Sequence, residues 1–489
     1  MNLSKSKYCN GILCNKILWL DEYKKEVKGD IDNESTLDNG TEVGEIAKGL
    51  LGEYTNIEFN EDLNKMVEET KKLLSNDNIV ITEASFNYNN NFCSVDLLKK
   101  NNNEYELYEV KGSTYLKDHF KDDISYQYYV LKNCGINVKR CFNVHLNPNY
   151  VRVGELELDK LFVLEDVTDD VVDKYDEVEK NIKNINNYLI NKDEQPKELS
   201  IACFKPYKCP YFDYCSSNLP KNNVFKIRGM WKTEMIEWYK KGIISFDELL
   251  NENIDDNYKQ QIDYELNNKE DHIDKYWINR FLNTLSYPIY YLDFETFQNV
   301  IPKYDYSSPY EQIPFQYSLH YKLSEDSKLE HKEFLAETGI DPRRELAERL
   351  VKDIPLDVCT VAYNMRFEKS IIKKLSEIYP DLRDHLMNIH DNIKDLMIPF
   401  KYRNYYNKDM EGSYSIKYVL PALFPDDESL NYHNLDLIQN GSEAMNSFSS
   451  LENKDKKEQE YIRERLLRYC ELDTYAMVKI HDKLKEVVK

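Results

Sequence analysis

Two apolar, strand-like runs carry acidic residues near their ends, one in each half of the chain, and they constrain the fold more than any other feature. The run Tyr105–Lys111 contains Glu109 and follows Asp96, and the run Tyr287–Asp293 leads directly to Glu295. Because alternate side chains of a strand share a face, each run places its polar residues together at the border of a buried sheet. With 489 residues the chain is too long for one core, so two or three domains are expected.

The order of helical and strand-like patterns divides the chain into three parts. Residues 1–220 alternate the two patterns and predict an α/β domain, residues 221–285 predict a helical connector, and residues 286–489 predict a second α/β domain. In the first domain the patterns predict helices over Leu13–Tyr23 and Ile124–Leu131, and strands over Asn78–Phe86, Cys93–Leu98, Tyr105–Lys111 and Val138–Leu146.

Charge and composition narrow the function classes. A net charge of −22 argues against a protein that coats nucleic acid through bulk electrostatics, but not against an enzyme with local contacts. No run reaches the ~20 apolar residues of a membrane helix, and the start has no apolar signal core, so we expect a cytoplasmic protein without a membrane partner. Ten cysteines in such a chain favour metal or cluster ligation over a disulfide framework.

The first acidic set combines Asp96 with Glu109 and Lys111. Glu109 and Lys111 are two residues apart on a predicted strand and leave the same face, where Asp96 can join Glu109 in binding Mg²⁺ or Mn²⁺. The metal would lower the pKa of a bound water, and Lys111 can orient that water or stabilise developing charge. Glu45, in a helix after Gly44, is a candidate for a further carboxylate, and Glu42 is its competitor.

Four cysteines surround this set. Cys14 precedes it, and Cys203, Cys209 and Cys215 follow it at close spacing. The Asp…Glu-x-Lys pattern with one cysteine before and three after resembles the PD-(D/E)XK iron–sulfur nucleases of the RecB/AddB type. This resemblance implies that the four thiolates bind a [4Fe–4S] cluster, with Zn²⁺ as the alternative. The alternative without a bound metal is four ordinary buried cysteines, and Cys9 could replace Cys14.

The same resemblance assigns a catalytic role to Gln127, the glutamine that follows the Glu-x-Lys strand. Two positions depart from the family pattern. Leu131 stands where a tyrosine is common, and Gly44-Glu45 stands where an early helix usually has a histidine.

The second acidic set has three ordered parts. Asp293 and Glu295 share a strand face, Glu368 follows Asn364 by four residues, and Tyr469 and Asp473 lie four apart on an amphipathic helix. This series resembles the DEDD (DnaQ-like) exonucleases with the ribonuclease H fold, in their tyrosine-bearing subgroup. The resemblance implies two Mg²⁺ or Mn²⁺ ions held by the four acids and an attacking water positioned by Tyr469. Glu368 stands where the family usually has aspartate, and Asp395 is a weaker candidate, more typical of a structural residue.

A stretch between these motifs, residues 401–408, interleaves basic and aromatic residues. Lys401, Arg403 and Tyr405, together with Asn364, are therefore candidate contacts for single-stranded nucleic acid. A solvated loop explains the stretch equally well.

Nearly the whole chain resembles a bacterial family that joins a RecB-like iron–sulfur nuclease domain to a DnaQ-like exonuclease domain. Further stretches shared with that family are Leu3–Ser6, Gly412–Lys417 and Val419–Pro421. The resemblance implies a two-site nuclease acting on single-stranded or frayed DNA, or on RNA, in repair or defence, with 3′-to-5′ exonuclease activity at the C-terminal site. The alternative is a cluster-stabilised scaffold that binds nucleic-acid ends without cutting them.

Overall fold

The chain is a mixed α/β protein that forms two compact units. A computed structural model describes residues 3–29 and 34–489, without the side chains of residues 34–39. The N-terminal unit comprises the chain up to residue 219 together with residues 299–311, and the C-terminal unit comprises residues 220–298 and 312–489. The helices predicted as a separate connector over residues 221–285 are thus part of the C-terminal unit.

A seven-stranded sheet forms the centre of the N-terminal unit. Its main order is β2-β3-β4-β5-β6-β7, with β1 parallel to β4. The strands β3, β4 and β5 form an antiparallel meander, and β6 lies parallel to β5. Their bounds are β1 Leu3–Ser4, β2 Thr55–Asn56, β3 Asn78–Tyr88, β4 Asn91–Asn101, β5 Glu104–Lys111, β6 Val138–Leu146 and β7 Phe162–Asp166.

Helices cover both faces of this sheet. Adjacent residues of β5 show the division, because Leu107 packs with α1, α5 and α8 whereas Tyr108 packs with α3. The predicted helix over Leu13–Tyr23 is interrupted at Cys14, which has an extended backbone between α1 and α2. The helices are α1 Lys5–Leu13, α2 Asn15–Tyr23, α3 Glu34–Ala47, α4 Leu63–Leu73, α5 Phe120–Asn133, α6 Leu158–Leu161, α7 Thr168–Asp173, α8 Tyr175–Ile190 and α9 Phe212–Cys215.

The C-terminal unit has a five-stranded sheet of order β11-β10-β9-β12-β13. The central strand β9 is antiparallel to β10 and parallel to β12, so the sheet is mixed. A second, two-stranded sheet pairs β8 with β14. The strand bounds are β8 His272–Ile273, β9 Ile289–Gln298, β10 Gln312–Lys322, β11 Glu330–Leu335, β12 Cys359–Ala362, β13 Ile393–Asp395 and β14 Tyr405–Tyr406.

The long helix α20 packs across β9 and β10. Its buried residues, among them Leu466, Cys470 and Met477, recur every three or four positions and form one apolar face. The Gln316 side chain on β10 donates a hydrogen bond to the Leu466 carbonyl (2.8 Å), which fixes the helix on the sheet. The helices of this unit are α10 Lys232–Lys240, α11 Phe246–Leu250, α12 Asp256–Asn267, α13 Lys275–Leu282, α14 Arg343–Asp353, α15 Arg366–Ile378, α16 Arg383–Asn392, α17 Ile398–Lys401, α18 Ile416–Leu423, α19 Gly441–Ser450 and α20 Lys456–Val488.

Across the described part of the chain, none of the helices is both long enough and apolar enough to span a membrane.

Candidate functional site

Four carboxylates converge in the C-terminal unit where α20 covers the sheet. Asp293 and Glu295 lie two residues apart on β9 and share a face. Asp473 comes from the buried face of α20, and Glu368 from the first turn of α15. The charges of the other three all act on Asp293, so acids from three separate motifs form one cluster.

Burial raises the pKa of every member of this cluster. Repulsion from neighbouring carboxylates adds to the effect at Asp293, Glu295 and Glu368. The pKa lies well above the ordinary value for Asp293 and Glu295, and rises to about 8 for Glu368 and about 6 for Asp473. Four acids that resist ionisation together form a site that favours protons or cations.

One atom of the cluster has no compensating partner. Glu368 is 2% exposed, and its Oε2 is buried without a hydrogen bond. A buried carboxylate oxygen left in this way is costly, and a bound divalent cation would remove the cost. The donor set fits Mg²⁺ or Mn²⁺ because its oxygens are hard ligands.

Tyrosine hydroxyls surround Asp473. Tyr469, one helical turn earlier on α20, is 4% exposed and hydrogen-bonds Asp473. Tyr432 donates a second hydrogen bond to Asp473 Oδ1 at 2.6 Å. These bonds and the charge of Lys417 limit the rise in the pKa of Asp473.

Three contributors to this site were not predicted as site residues. They are Tyr432, Lys417 and Cys470, whose Sγ lies 3.6 Å from Asp293 Oδ2. Lys417 falls in the Gly412–Lys417 stretch, so the sequence offered a weak signal for it. Tyr432 carries no local motif.

Asn364 and Asp395 shape the backbone ahead of Glu368. Asn364 has a positive φ of 69°, a conformation that asparagine tolerates better than most residues. Its N–H and that of Met397 both donate to Asp395 Oδ1 at 3.0 Å. Asp395 therefore holds the turn that starts α15, in agreement with its interpretation as a structural residue.

The prediction that Tyr405 binds nucleic acid is wrong. Tyr405 is 2% exposed because β14 pairs with β8, and its hydroxyl donates to Asp271 Oδ2 at 2.7 Å. The ring is therefore inaccessible to a base. Lys401 is exposed, and the guanidinium of Arg403, which is partly buried, lies 4.6 Å from the Tyr406 ring.

An accessible aromatic residue lies next in the sequence to Lys401. Tyr402 is 68% exposed and Trp277 is 47% exposed, and both line a cavity of about 720 Å³. Arg280, Lys369 and Lys394 add positive charge to its wall, and Met365 and Asp395 connect it to the turn before Glu368. This cavity, which we call the aromatic–basic cavity, combines rings for stacking with cations for phosphates.

In the N-terminal unit, Glu109 is enclosed by donors. Lys5 Nζ and Lys111 Nζ lie 2.7 Å and 2.9 Å from its Oε1, and Gln127 Nε2 donates to its Oε2 at 2.6 Å. Burial would raise the pKa of Glu109, but the two ammonium groups outweigh it and lower the pKa to about 2. Glu109 is therefore ionised, and the two ammonium groups and the Gln127 amide stabilise its negative charge.

Asp96 lies beside this group on β4. Its Oδ2 accepts the Val110 N–H at 2.6 Å, and its Oδ1 is 4.0 Å from Lys5 Nζ. Burial and the charge of Glu109 raise the pKa of Asp96 to about 7. The structure thus brings together Asp96, Glu109, Lys111 and Gln127.

Two contributors here were not predicted as site residues. Lys5 lies between the carboxylates of Asp96 and Glu109, and Asp123 on α5 forms an ion pair with Lys111. Lys5 belongs to the Leu3–Ser6 stretch, which the resemblance had singled out without giving it a role.

Glu45 does not join this group as predicted. Its side chain is 62% exposed and pairs with Lys48 at 2.6 Å, because the buried positions of α3 are Val43 and Ala47. Partial burial raises the pKa of the competitor Glu42, which acts electrostatically on Tyr310. The Tyr310 hydroxyl donates to the carbonyl of Gly112, the residue after β5, so Glu42 acts near the end of this strand.

The four predicted cysteines line one small cavity of about 30 Å³. Cys14 comes from the break between α1 and α2, Cys203 from a short 3₁₀ turn, and Cys215 from the end of α9. The Cys209 N–H donates to the Cys203 carbonyl at 2.9 Å. Cys9, the alternative to Cys14, instead contacts Asp123.

The spacing of the four sulfur atoms bears on what they bind. A tetrahedral Zn²⁺ site with bonds of about 2.3 Å holds its thiolates about 3.8 Å apart. Among the described residues, no three of these sulfurs lie within 4.8 Å of one another. A cluster holds its thiolates farther apart because its own iron and sulfide atoms lie between them.

Comparison with known proteins gave one match. A family model described as a domain of unknown function (DUF2779) matches residues 290–415. These residues include Asp293, Glu295 and Glu368 and end before Tyr469 and Asp473. No curated protein and no solved structure matches the chain.

Proposed function

We propose that this protein is a metal-dependent nuclease with one catalytic site in each unit. The observation that carries the proposal is the buried cluster of Asp293, Glu295, Glu368 and Asp473, in which burial and mutual repulsion raise the pKa values. Protons or bound cations would relieve the repulsion within such a cluster, and bound cations would let the four acids act in their ionised form, which supports a metal-dependent function. The order of these acids in the chain and their strand and helix positions support a DnaQ-like exonuclease domain with a ribonuclease H-like fold.

In the C-terminal site, bound Mg²⁺ or Mn²⁺ would supply an activated water and stabilise the charge of an in-line phosphoryl displacement. Asp293 and Glu295 offer oxygens from the rigid strand β9, and Glu368 offers its unpaired Oε2. Tyr469 can orient the attacking water through its hydroxyl, while Tyr432 fixes the carboxylate of Asp473. The expected product is a nucleotide released from a 3′ end.

In the N-terminal site, Lys111 is oriented by Glu109 and Asp123, which suits a residue that stabilises a developing phosphate charge. Asp96 and Glu109 would hold the cation. Because Lys5 already contacts Glu109 Oε1, cation binding competes with this ammonium group. The arrangement supports a RecB-like PD-(D/E)XK nuclease core.

The four cysteines would hold a [4Fe–4S] cluster that joins the two ends of the N-terminal unit. The four thiolates could hold the cluster or Zn²⁺, and we favour the cluster because of the resemblance to the iron–sulfur nucleases. Apolar side chains that include Ile17, Leu20 and Phe212 line the same cavity and would shield a cluster from water.

The aromatic–basic cavity supports single-stranded DNA or RNA as the substrate. Stacking on an aromatic ring contributes about 1–3 kcal/mol per base, and such contacts tolerate any sequence. We expect Tyr402→Ala to weaken binding of single-stranded oligonucleotides about tenfold, and Tyr405→Phe to leave it unchanged because Tyr405 is buried. Fluorescence anisotropy with labelled oligonucleotides measures both variants.

A cleavage assay on 5′- and 3′-labelled single-stranded DNA and RNA tests the nuclease proposal. With Mn²⁺ or Mg²⁺, Asp293→Ala should lose nucleotide release from 3′ ends, and Lys111→Ala should lose a separate set of products. The double variant should be inactive. Asp482→Asn, which changes an acid with a 59% exposed side chain on α20, is the matched control and should keep full activity.

The alternative function is a scaffold that binds nucleic-acid ends without cutting them. It becomes the better description if the parent protein and the double variant give the same products. It then also predicts equal oligonucleotide affinity for Asp293→Ala and the parent, because a scaffold does not require that carboxylate.

A further inference from the structure

Two histidines and a glutamate form a compact group next to, but separate from, the carboxylate cluster. His320 on β10 and His331 on β11 are directly opposite each other in the antiparallel pairing, and their rings are 4.4 Å apart. Glu471 on α20 completes the group. One ligand atom from each of the three lies within 4.8 Å of the others.

The hydrogen bonds around the two rings allow one arrangement of protons that leaves a lone pair free on each ring. In that arrangement Thr474 Oγ1 donates to the Glu471 carbonyl (3.1 Å) and accepts from Ser318 Oγ (2.7 Å) and from His320 Nδ1 (2.8 Å). Ser318 has then used its only proton and accepts from His331 Nε2 at 2.9 Å. His320 Nε2 and His331 Nδ1 are left with free lone pairs.

One of these lone pairs faces a carboxylate. His331 Nδ1 lies 4.0 Å from Glu471 Oε1, which is too long for a hydrogen bond. In a tetrahedral Zn²⁺ site with ligand bonds of about 2.0–2.2 Å these two atoms would lie about 3.4 Å apart, so a shift of about 0.6 Å would bring both onto a shared ion. Glu333, opposite Ser318 on β11, acts electrostatically with His331 and Glu471 and adds negative charge that favours a cation.

We propose that His320, His331 and Glu471 bind a divalent transition-metal ion, with Zn²⁺ as the best match. Two neutral imidazoles and one carboxylate are a typical zinc donor set, whereas Mg²⁺ prefers oxygen ligands alone. The Nδ1–H of His320 and the Nε2–H of His331 are both held by hydroxyls, as metal-bound histidines require.

The position of the site suggests its consequence. Glu471 lies between Tyr469 and Asp473 on α20, and the two histidines lie on adjacent strands of the sheet. The ion therefore fixes this turn of α20 to β10 and β11. It is a positioning site for α20, and it requires neither the nuclease activity nor a metal at the four acids.

Equilibrium dialysis against Zn²⁺, followed by elemental analysis of the full-length protein, tests this site. We expect His331→Ala and Glu471→Gln each to bind one Zn²⁺ fewer per chain than the parent at micromolar Zn²⁺, or to bind it at least tenfold more weakly. Zinc at any other site contributes equally to all proteins and cancels in the difference. His390→Ala is the matched control, because this histidine also lies beside a carboxylate, Asp391, but outside the group.

A second measurement separates metal binding from packing. Zn²⁺ should raise the melting temperature of the parent and of His390→Ala, and raise it less in Glu471→Gln, whose side chain is half exposed and whose removal should preserve folding. Circular dichroism checks that each variant is folded. Equal zinc content and equal zinc-induced stabilisation in the parent and Glu471→Gln would overturn the proposal and leave the histidines as hydrogen-bonded packing residues.

Discussion

Replacement of Glu368 by glutamine should stabilise the metal-free protein while removing a proposed metal ligand. The glutamate is almost fully buried, its Oε2 has no hydrogen bond, and burial raises its pKa to about 8. Glutamine has nearly the same shape as the protonated acid but cannot ionise. The substitution therefore removes the electrostatic cost of the site and keeps its packing.

The size of the effect follows from linkage. Because the pKa of Glu368 is raised from 4.5 to about 8 on folding, the stability it contributes is fully present below pH 4.5 and is lost as the pH rises to 8. The loss amounts to about 1.4 kcal/mol per pH unit in this window. Glu368→Gln should therefore exceed the parent by up to about 3 kcal/mol at pH 7 and by less than about 1 kcal/mol at pH 5.

Thermal unfolding in EDTA at pH 5, 7 and 8.5 measures this difference. For a domain of this size, 1 kcal/mol corresponds to about 2–4 °C in melting temperature. Glu377→Gln, at an exposed position of the same helix, is the control and should show no pH-dependent gain. Saturating Mn²⁺ should then raise the melting temperature of the parent more than that of Glu368→Gln.

The reasoning is refuted if Glu368→Gln is less stable than the parent at every pH, or if its advantage does not grow between pH 5 and pH 8.5. Either result would mean that other groups in the protein already stabilise the negative charge of the Glu368 carboxylate.

Three further predictions concern other parts of the two units. Tyr432→Phe loses the hydrogen bond to Asp473 and should raise the Mn²⁺ concentration for half-maximal cleavage about ten- to a hundredfold; an unchanged metal titration would contradict this. Cys209→Ser should lose bound iron and the broad visible absorption of a cluster, and full iron content in this variant would exclude Cys209 as a ligand. Lys5→Met removes an ammonium group 2.7 Å from Glu109, so the pKa of that carboxyl should rise and Mn²⁺ should bind about tenfold more tightly in a titration followed by electron paramagnetic resonance. Weaker Mn²⁺ binding would show that Lys5 supports the metal site instead of competing with it.

Local periodicity predicted which acids of the C-terminal site share a face, whereas the resemblance to the DEDD exonucleases added Glu368 and predicted that the three motifs form one site. Asp293 and Glu295 are two apart on a strand, and Tyr469 and Asp473 are four apart on a helix, so each pair is fixed by backbone geometry. The mixed α/β class followed from the same alternation of patterns.

Residues that reach a site through tertiary packing could not be predicted in this way. Tyr432 meets Asp473 only because the chain folds back over α20, and His320 meets His331 only through the register of β10 with β11. The prediction for Tyr405 was wrong because tertiary packing removes this residue from the surface. Its basic and aromatic neighbours suggested an exposed strip, but pairing with β8 buries its ring.

The two candidate sites differ in how their acids are compensated, and this difference implies different responses to metal removal. In the N-terminal unit, Lys5 and Lys111 pair directly with Glu109, whose pKa is lowered to about 2, so its negative charge is stable without a metal. In the C-terminal unit, burial and repulsion raise the pKa of Asp293, and a bound metal ion would favour the ionised form of this acid and its neighbours. Chelation should therefore loosen the C-terminal unit selectively. Hydrogen exchange would show this as a larger increase in the amide exchange rates of α20 than in those of β5. Equal changes in both units would show that the lysines of the N-terminal site do not replace a cation.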